Sequence, residues 1–202
     1  MLDKSVWREI LYHELPGEKA HLRMAPTFRG SLKQQGEPAR AAVLALLCPS
    51  GDEVNLVFIK RNEYDGPHSG QVSFPGGAWE EADGSLENTA LRETREELGI
   101  MQDIDILGEL TPLHIPVSNF MVYPFLGWME RRTEFDPDPS EVQYVIEVSL
   151  RELLDPANCQ REIIFHHNRQ IEAPFYLAGK DKIWGATAMM LSEVLQLASA
   201  LR

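Results

Sequence analysis

Three glutamates within five residues are the part of this sequence best suited to chemistry. Glu93, Glu96 and Glu97 occur in the stretch RETREELG, and at i, i+3 and i+4 spacing they share one face of a helix. Like charges this close repel one another by about 0.2–0.5 kcal/mol per pair. A divalent cation would relieve that repulsion, because Mg²⁺ and Mn²⁺ prefer carboxylate oxygens. The cluster is therefore a candidate metal site, although a solvated acidic helix face shows the same pattern.

The residues on either side predict how this helix is positioned. A glycine pair, Gly76-Gly77, follows an apolar strand end and predicts a flexible loop where the backbone can approach a ligand closely. Ser85 is a suitable N-cap for a helix that begins near Leu86, and Gly99 predicts its end. Three apolar residues give the helix a side that can dock on a sheet: Ala90, Leu91 and Leu98.

The remaining apolar patterns predict an α/β fold with a mixed β-sheet. Strands are predicted at 41–48, 55–59, 72–74, 104–110, 122–128, 142–148, 161–166 and 170–176, and helices at 5–14, from 150 and at 185–201. A polar loop is predicted at 30–38. We therefore expect a helical N-terminal extension over residues 1–35 that packs on a single domain over residues 36–202.

Composition restricts the class of protein. The chain has 202 residues, is 44% hydrophobic and carries a net charge of −12, which disfavours general nucleic-acid binding. Cys48 and Cys159 are too few for a disulfide framework, and the sequence contains no membrane span or apolar signal segment. These features predict a cytoplasmic protein whose acidic partners are held through metal ions.

The segment from Gly76 to Ile100 resembles the Nudix box, G-x5-E-x7-R-E-U-x-E-E-x-G-U, in which U is aliphatic. Thr94 takes the place of the first aliphatic residue. Asp83 takes the place of the leading glutamate, and eight residues instead of seven separate it from Arg92. This variant spacing resembles the coenzyme A pyrophosphatase branch of the family.

The residues immediately upstream strengthen the resemblance to that branch. Its accessory signature is roughly LLTxRSxxxRxxxGxxxFPGG, and six positions match here: Arg61, Gly70, Phe74, Pro75, Gly76 and Gly77. Asn62 replaces the usual serine, and Gly66 replaces the second arginine. Because glycine cannot bind phosphate through a planar fork, the second change could alter recognition of a 3′-phosphate. Segments around 115–125 and 183–188 also resemble this branch.

The resemblance implies a Nudix-type α/β/α sandwich and a catalytic site that uses Mg²⁺ or Mn²⁺. The implied metal ligands are the carboxylates of Glu93, Glu96 and Glu97 and the backbone carbonyl of Gly76. Glu93 could alternatively act as an orienting base. Arg92 belongs to the same catalytic group and is expected to pair with a carboxylate and hold the helix. Glu141, outside the box, is a candidate for a further acid, and a solvated loop residue is an equal alternative.

A second set of residues is implied to bind substrate: Arg61, His68, Gly70, Phe74 and Gly77. For His68, a local hydrogen bond in a turn is at least as good an interpretation. The expected partner is a small nucleotide and not a nucleic acid or a membrane, and family resemblance suggests a possible homodimer.

The expected reaction is hydrolysis of the pyrophosphate bond of a nucleoside diphosphate linked to another group. The branch resemblance favours coenzyme A or acyl-CoA, split into 3′,5′-ADP and (acyl-)4′-phosphopantetheine. Alternative substrates are ADP-ribose, NADH and an oxidised nucleotide, which the change at Gly66 keeps open. A non-catalytic nucleotide-binding protein is disfavoured because all three glutamates of the box are present.

Overall fold

Most helices and strands of the chain lie where the apolar patterns predict them. The computed structural model describes residues 3–27, 36–66, 68–130, 134–166 and 169–201. The helices are α1 (Lys4–Leu11), α2 (Gly17–Arg23), α3 (Leu86–Leu98), α4 (Leu150–Leu153) and α5 (Gly185–Ala200). The strands are β1 (Ala39–Ser50), β2 (Glu53–Arg61), β3 (Val72–Ser73), β4 (Gly76–Ala78), β5 (Asp105–Glu109), β6 (Leu113–Ile115), β7 (Phe120–Trp128), β8 (Val142–Ser149), β9 (Cys159–His166), β10 (Arg169–Ala178) and β11 (Asp181–Trp184).

The long strand β1 is the centre of the main sheet. It pairs antiparallel with β2 and with the short β4, and parallel with β7. The sheet is extended by β3 and β8 on β2, and by β5 and β6 on β7. A separate antiparallel sheet has the order β11-β10-β9. The main sheet is therefore mixed, as predicted.

The side chains of β1 alternate between two apolar layers. Ala42 and Leu44 pack in the same core as Leu98 of α3, whereas Ala41 belongs to the core that contains Met190 of α5. This alternation follows from the two-residue period of a strand. Helices thus cover both faces of the sheet, which confirms the α/β/α arrangement.

The N-terminal helices pack closely on the α5 side. Trp7 of α1 and Met24 after α2 are buried in that core. The sequence predicts one helix over 5–14 that ends before Pro16-Gly17, but α1 ends at Leu11 and α2 begins at Gly17. Proline is compatible with the start of a helix, so Pro16 opens α2, whereas α1 has already ended at Leu11. The predicted loop at 30–38 lies largely outside the described residues.

A buried carboxylate joins α2 to α5. Glu193 of α5 is fully buried, and it accepts hydrogen bonds from the Gly17 N–H at 3.1 Å and the Thr111 hydroxyl at 2.6 Å. His21 of α2 lies 3.2 Å away. Burial opposes ionisation, but the hydrogen bonds from His21 and Thr111 outweigh it and hold the pKa of Glu193 below its usual range.

The last helix, α5, is buried on nearly every side, including the polar residues Thr187, Ser192 and Glu193. It is enclosed because α2, α4, β6, β10 and β11 all contact it. In the part of the chain that the structure describes, no helix is long and apolar enough to cross a membrane.

Candidate active site

Local capping places α3 as the sequence predicts. The Ser85 hydroxyl accepts a hydrogen bond from the Asn88 N–H at 3.1 Å, which satisfies one free donor of the first turn. Gly99 ends the helix in the left-handed region, with φ of 64°. The box glutamates therefore lie in the last turns of a helix whose two ends are fixed by their own residues.

An ion pair between Arg92 and Asp83 connects α3 to the turn before it. Arg92 Nε lies 2.7 Å from Asp83 Oδ1, and its Nη2 lies 3.2 Å from Oδ2. Asp83 also accepts from the Thr89 hydroxyl at 2.8 Å and from the Glu80 N–H at 3.0 Å. The Arg92 guanidinium holds the pKa of Asp83 well below its usual range, and Asp83 in turn raises the pKa of Arg92. Arg92 thus forms the carboxylate pair expected of it.

The prediction of a flexible loop at the glycine pair is wrong, because Gly76–Ala78 is the strand β4. Its glycines are required by close packing. A Cβ on Gly76, whose φ is +146°, would lie 2.3 Å from the carbonyl oxygen of Ala42. A Cβ on Gly77 would lie 2.4 Å from the carboxylate carbon of Glu93. The pair therefore allows β4 to fit between β1 and the carboxylates of α3.

Glu97 is the most deeply buried of the three box glutamates, at 2% exposure. Its Oε2 accepts a hydrogen bond from the Gly76 N–H at 2.8 Å, and its Oε1 lies 3.3 Å from Arg61 Nη1. Burial, together with the charges of Glu93 and Glu141, raises the pKa of Glu97 to about 7. The hydrogen bond from Gly76 and the charge of Arg61 oppose this rise. This carboxyl group is therefore balanced between two protonation states near neutral pH.

The other two box glutamates have different surroundings. Burial also raises the pKa of Glu93, with the nearby Arg92 guanidinium opposing the rise. Glu96 is largely exposed, with 61% of its side chain accessible, and it accepts from Arg92 Nη1 at 3.0 Å. A helical face that looks uniform in the sequence therefore contains one buried, one partly buried and one exposed carboxylate.

The structure brings Glu141 to the same cluster. Its carbonyl accepts a hydrogen bond from the Asn62 N–H at 3.0 Å, which ties the segment before β8 to the end of β2. Its charge contributes to the raised pKa of both Glu93 and Glu97. Beside it is a polar cavity of about 470 Å³, lined by Arg61, Asn62, Glu63, Tyr64, Ser140 and Glu141. Glu141 therefore lies close enough to Glu93 and Glu97 for its charge to affect both.

No three His, Cys, Asp or Glu side chains of the described residues already converge as a metal-binding group. Glu96 is turned toward Arg92, and Glu97 toward Arg61 and Gly76. A cation bridging the helix would replace these contacts with its own. Electrostatics favours such a change, because Glu93, Glu97 and Glu141 repel one another in a partly buried setting.

A second cavity, of about 300 Å³, lies on the α5 side of β1, and we call it the α5-side cavity. Its lining includes Ala41, Val43 and residues 76–78, so β4 separates it from the carboxylates of α3. The remaining lining residues are Arg61, Tyr64, His68, Gln71, Ser73, Phe74, Ile115, Ser118, Phe120, Val122, Ala186, Thr187 and Met190. Residues from α5 and β7 could not be assigned to this site from local sequence patterns, because they lie far in the sequence from the β1 and β4 residues that they face.

Two predicted substrate-binding residues, Arg61 and His68, line this cavity and are already engaged. Arg61 faces Glu97. His68 has φ of 66°, an uncommon value for a residue with a side chain, and its ring nitrogens lie 3.1 Å from Gln71 Oε1 and 3.2 Å from Ser118 Oγ. His68 therefore links its loop to the β6–β7 turn.

Two further residues predicted to bind substrate, Gly70 and Phe74, have mainly structural roles. Gly70 is absent from the described cavity walls and turns the loop with φ of 61°, its N–H bonded to the Asn62 carbonyl at 3.1 Å. Phe74 borders the α5-side cavity but is 1% exposed and stacks on Phe58 with ring centroids 4.9 Å apart. The sequence signature therefore combines residues that shape the loop with residues that face a cavity.

Comparison with known proteins identifies the same segment. The NUDIX domain description matches residues 38–167. The human mitochondrial coenzyme A diphosphatase NUDT8 is 35% identical over 172 residues, which cover 81% of this chain and 71% of that protein. The Nudix hydrolase NudL of Photorhabdus laumondii is 31% identical over 157 residues, covering 77% and 82%.

Solved structures share the fold. A MutT/nudix family protein from Enterococcus faecalis superposes with a TM-score of 0.55 at 16% identity, covering 98% of this chain and 76% of that one. The Nudix hydrolase RenU from M. smegmatis gives a TM-score of 0.51 at 13% identity, covering 83% and 89%. At these identities the likeness concerns the fold alone.

Proposed function

The chain belongs to the NUDIX family of hydrolases, and from this premise we propose that its substrate is coenzyme A or an acyl-CoA. Hydrolysis of the pyrophosphate bond would release 3′,5′-ADP and 4′-phosphopantetheine, or its acyl form. The observation that carries the proposal is the 35% identity to a relative named as a coenzyme A diphosphatase. The resemblance of the segment from Arg61 to Gly77 to the branch signature also supports the proposal.

We assign the metal site to the carboxylates of Glu93, Glu96 and Glu97 and to the Gly76 carbonyl, with Glu141 as a further acid. Nudix hydrolases generally depend on divalent metals, and Mg²⁺ or Mn²⁺ is proposed here. When bound, the ion supplies positive charge that neutralises the pyrophosphate. The residues fit it, because Glu93 and Glu97 are partly desolvated carboxylates whose pKa values are raised, a state that a hard cation relieves.

The surrounding side chains are assigned supporting roles. The alternative to metal binding for Glu93 is to orient the attacking water and accept its proton, since its partly buried carboxylate has a raised pKa. Arg61 lies between Glu97 and both cavities, where its guanidinium can donate to a phosphate oxygen. Arg92 holds α3 to Asp83 and does not need to touch substrate.

A substrate panel tests the proposal. Purified protein with Mg²⁺ or Mn²⁺ is assayed on coenzyme A, ADP-ribose, NADH and 8-oxo-dGTP, and products are separated by chromatography. We expect the highest kcat/KM for coenzyme A, with 3′,5′-ADP as a product. Turnover of ADP-ribose well above coenzyme A would contradict the substrate assignment. Absence of turnover with every member would favour a nucleotide-binding role.

Gly66 keeps ADP-ribose as a second candidate, because the branch signature has an arginine there that could bind a 3′-phosphate. A Cβ at Gly66 would lie 2.9 Å from the ring of Tyr64, a half-exposed side chain that can move. If the wild-type protein does not distinguish coenzyme A from dephospho-CoA, 3′-phosphate recognition is weak and the second candidate gains support. A clear preference for coenzyme A would remove it.

A further inference from the structure

The α5-side cavity has a mainly apolar and uncharged interior. Its apolar wall is formed by Val43, Phe74, Ile115, Phe120, Val122 and Met190. We propose that this cavity binds the pantetheine arm of the substrate and leaves the 3′,5′-ADP half outside. The inference rests on the proposed coenzyme A substrate and specifies which half of that molecule enters the α5-side cavity.

Charge indicates which half of the coenzyme A molecule enters the α5-side cavity. The ADP half carries a 3′-phosphate in addition to its share of the pyrophosphate, and burying such anions requires cations. Among the described lining residues, Arg61 is the only lysine or arginine, and its proposed role beside Glu97 is to donate to the pyrophosphate. His68 has both ring nitrogens engaged. The pantetheine arm has no charge, so it can enter without a cation.

Hydrogen bonding gives a second reason. The arm contains two amides and a dimethyl-substituted carbon, so it needs an apolar wall with a few neutral polar groups. Gln71 and Thr187 supply such groups in this cavity.

The position of the cavity agrees with this assignment. Gly76 and Gly77 line it and also contact Glu97 and Glu93, so the cavity begins where the pyrophosphate would lie. Its volume of about 300 Å³ is at the lower end for ligand sites. It can therefore hold one arm of a large substrate but not the whole molecule.

A cavity-filling variant tests the inference. Ala186→Phe places a ring in the cavity from the first turn of α5, and Ala200→Phe, at the exposed end of the same helix, is the matched control. Binding of 4′-phosphopantetheine and of 3′,5′-ADP is measured separately by calorimetry in the presence of Mg²⁺. We expect Ala186→Phe to weaken 4′-phosphopantetheine binding about tenfold, because an apolar contact area is lost, while 3′,5′-ADP binding changes less than about twofold.

The opposite pattern, with 3′,5′-ADP affected and 4′-phosphopantetheine unaffected, would place the nucleotide in the cavity and overturn the inference. Equal effects on both ligands, or no effect on either, would overturn it as well. If Ala186→Phe does not fold, Phe120→Ala removes part of the apolar wall instead and should act selectively on 4′-phosphopantetheine in the same direction.

Failure of this inference can be distinguished from failure of the proposed function. Wild-type turnover of coenzyme A is measured first. If the wild-type protein hydrolyses coenzyme A but the cavity variants keep normal 4′-phosphopantetheine binding, only the assignment of the arm is wrong. If the wild-type protein hydrolyses another substrate and not coenzyme A, the proposed function itself fails.

Discussion

Burial and ionisation oppose each other at Glu97. The side chain is almost inaccessible, yet Gly76 and Arg61 are placed to stabilise its charged form. Burial prevails and raises its pKa to about 7. The buried negative charge of Glu97 is therefore unfavourable without a cation, and binding of a cation would relieve it.

We predict that Glu97→Gln lowers kcat by about 10²-fold or more, because an amide cannot replace a carboxylate as a ligand for a hard cation. Folding should be retained, since the change removes a charge that burial disfavours. Steady-state kinetics at saturating Mg²⁺ and a thermal unfolding curve measure both effects. Glu87→Gln, in the exposed first turn of α3, is the matched control and should leave kcat unchanged. Parental activity in Glu97→Gln would refute the assignment.

The pKa of Glu97 also predicts a pH dependence of stability. Since the folded-state pKa of about 7 lies above the ordinary value of 4.5, its contribution is complete below pH 4.5 and is lost as pH rises through 7. In buffer with EDTA, the free energy of unfolding should fall over this window by about 1–3 kcal/mol more in the wild-type protein than in Glu97→Gln. Urea denaturation at pH 5 and pH 8 measures it. Parallel pH profiles of the two proteins would show that Glu97 has an ordinary pKa.

Among the elements, α3 and β4 show what local sequence can and cannot predict. The bounds of α3 follow from Ser85 and Gly99, which act on their own neighbours, so a single sequence is sufficient. The strand state of Gly76-Gly77 depends on pairing with Ala42 and Val43 of β1, which lie far away in the sequence, and glycine has a low intrinsic preference for strands. The same reason explains why the pairing of Glu97 with Arg61 was not predicted.

Gly77→Ala tests the fit between β4 and α3. The new Cβ would lie 2.4 Å from the Glu93 carboxylate carbon, so this carboxylate must move. Displacing a reacting group by about 1 Å can cost about 10²-fold in rate, and we expect a loss of kcat of that order with a folded protein. Gly51→Ala is the control, because it lies in the β1–β2 turn at φ of +61° with nothing within 4 Å. It should lower stability slightly and leave kcat unchanged, and equal losses of kcat in both variants would contradict this role of Gly77.

At the scale of the whole molecule, Glu193 joins the N-terminal helices to the rest of the fold. It connects Gly17 and His21 of α2 with Thr111 through one buried carboxylate. The N-terminal segment is thus attached by a charged centre as well as by apolar packing of Trp7 and Met24.

We predict that Glu193→Gln lowers the free energy of unfolding by about 2–3 kcal/mol, because an amide N–H₂ group then faces donors that had a charged acceptor. Urea denaturation measures the loss, and kcat of the folded fraction should stay within about twofold. Glu18→Gln, an exposed position on α2, should be neutral. A drop in kcat without loss of stability would instead connect Glu193 to the active site.

The side chains of β1 alternate between two faces of the sheet, and each face contributes to a different part of the proposed site. Ala41 and Val43 face the α5-side cavity, while Ala42 and Leu44 support the helix that carries the carboxylates. Under the proposed assignment, substitutions at the first pair act on which molecule is accepted, and substitutions at the second pair act on the helix that carries the carboxylates. Substrate range and catalytic rate would then be adjusted from opposite faces of one strand, which makes this strand a starting point for engineering.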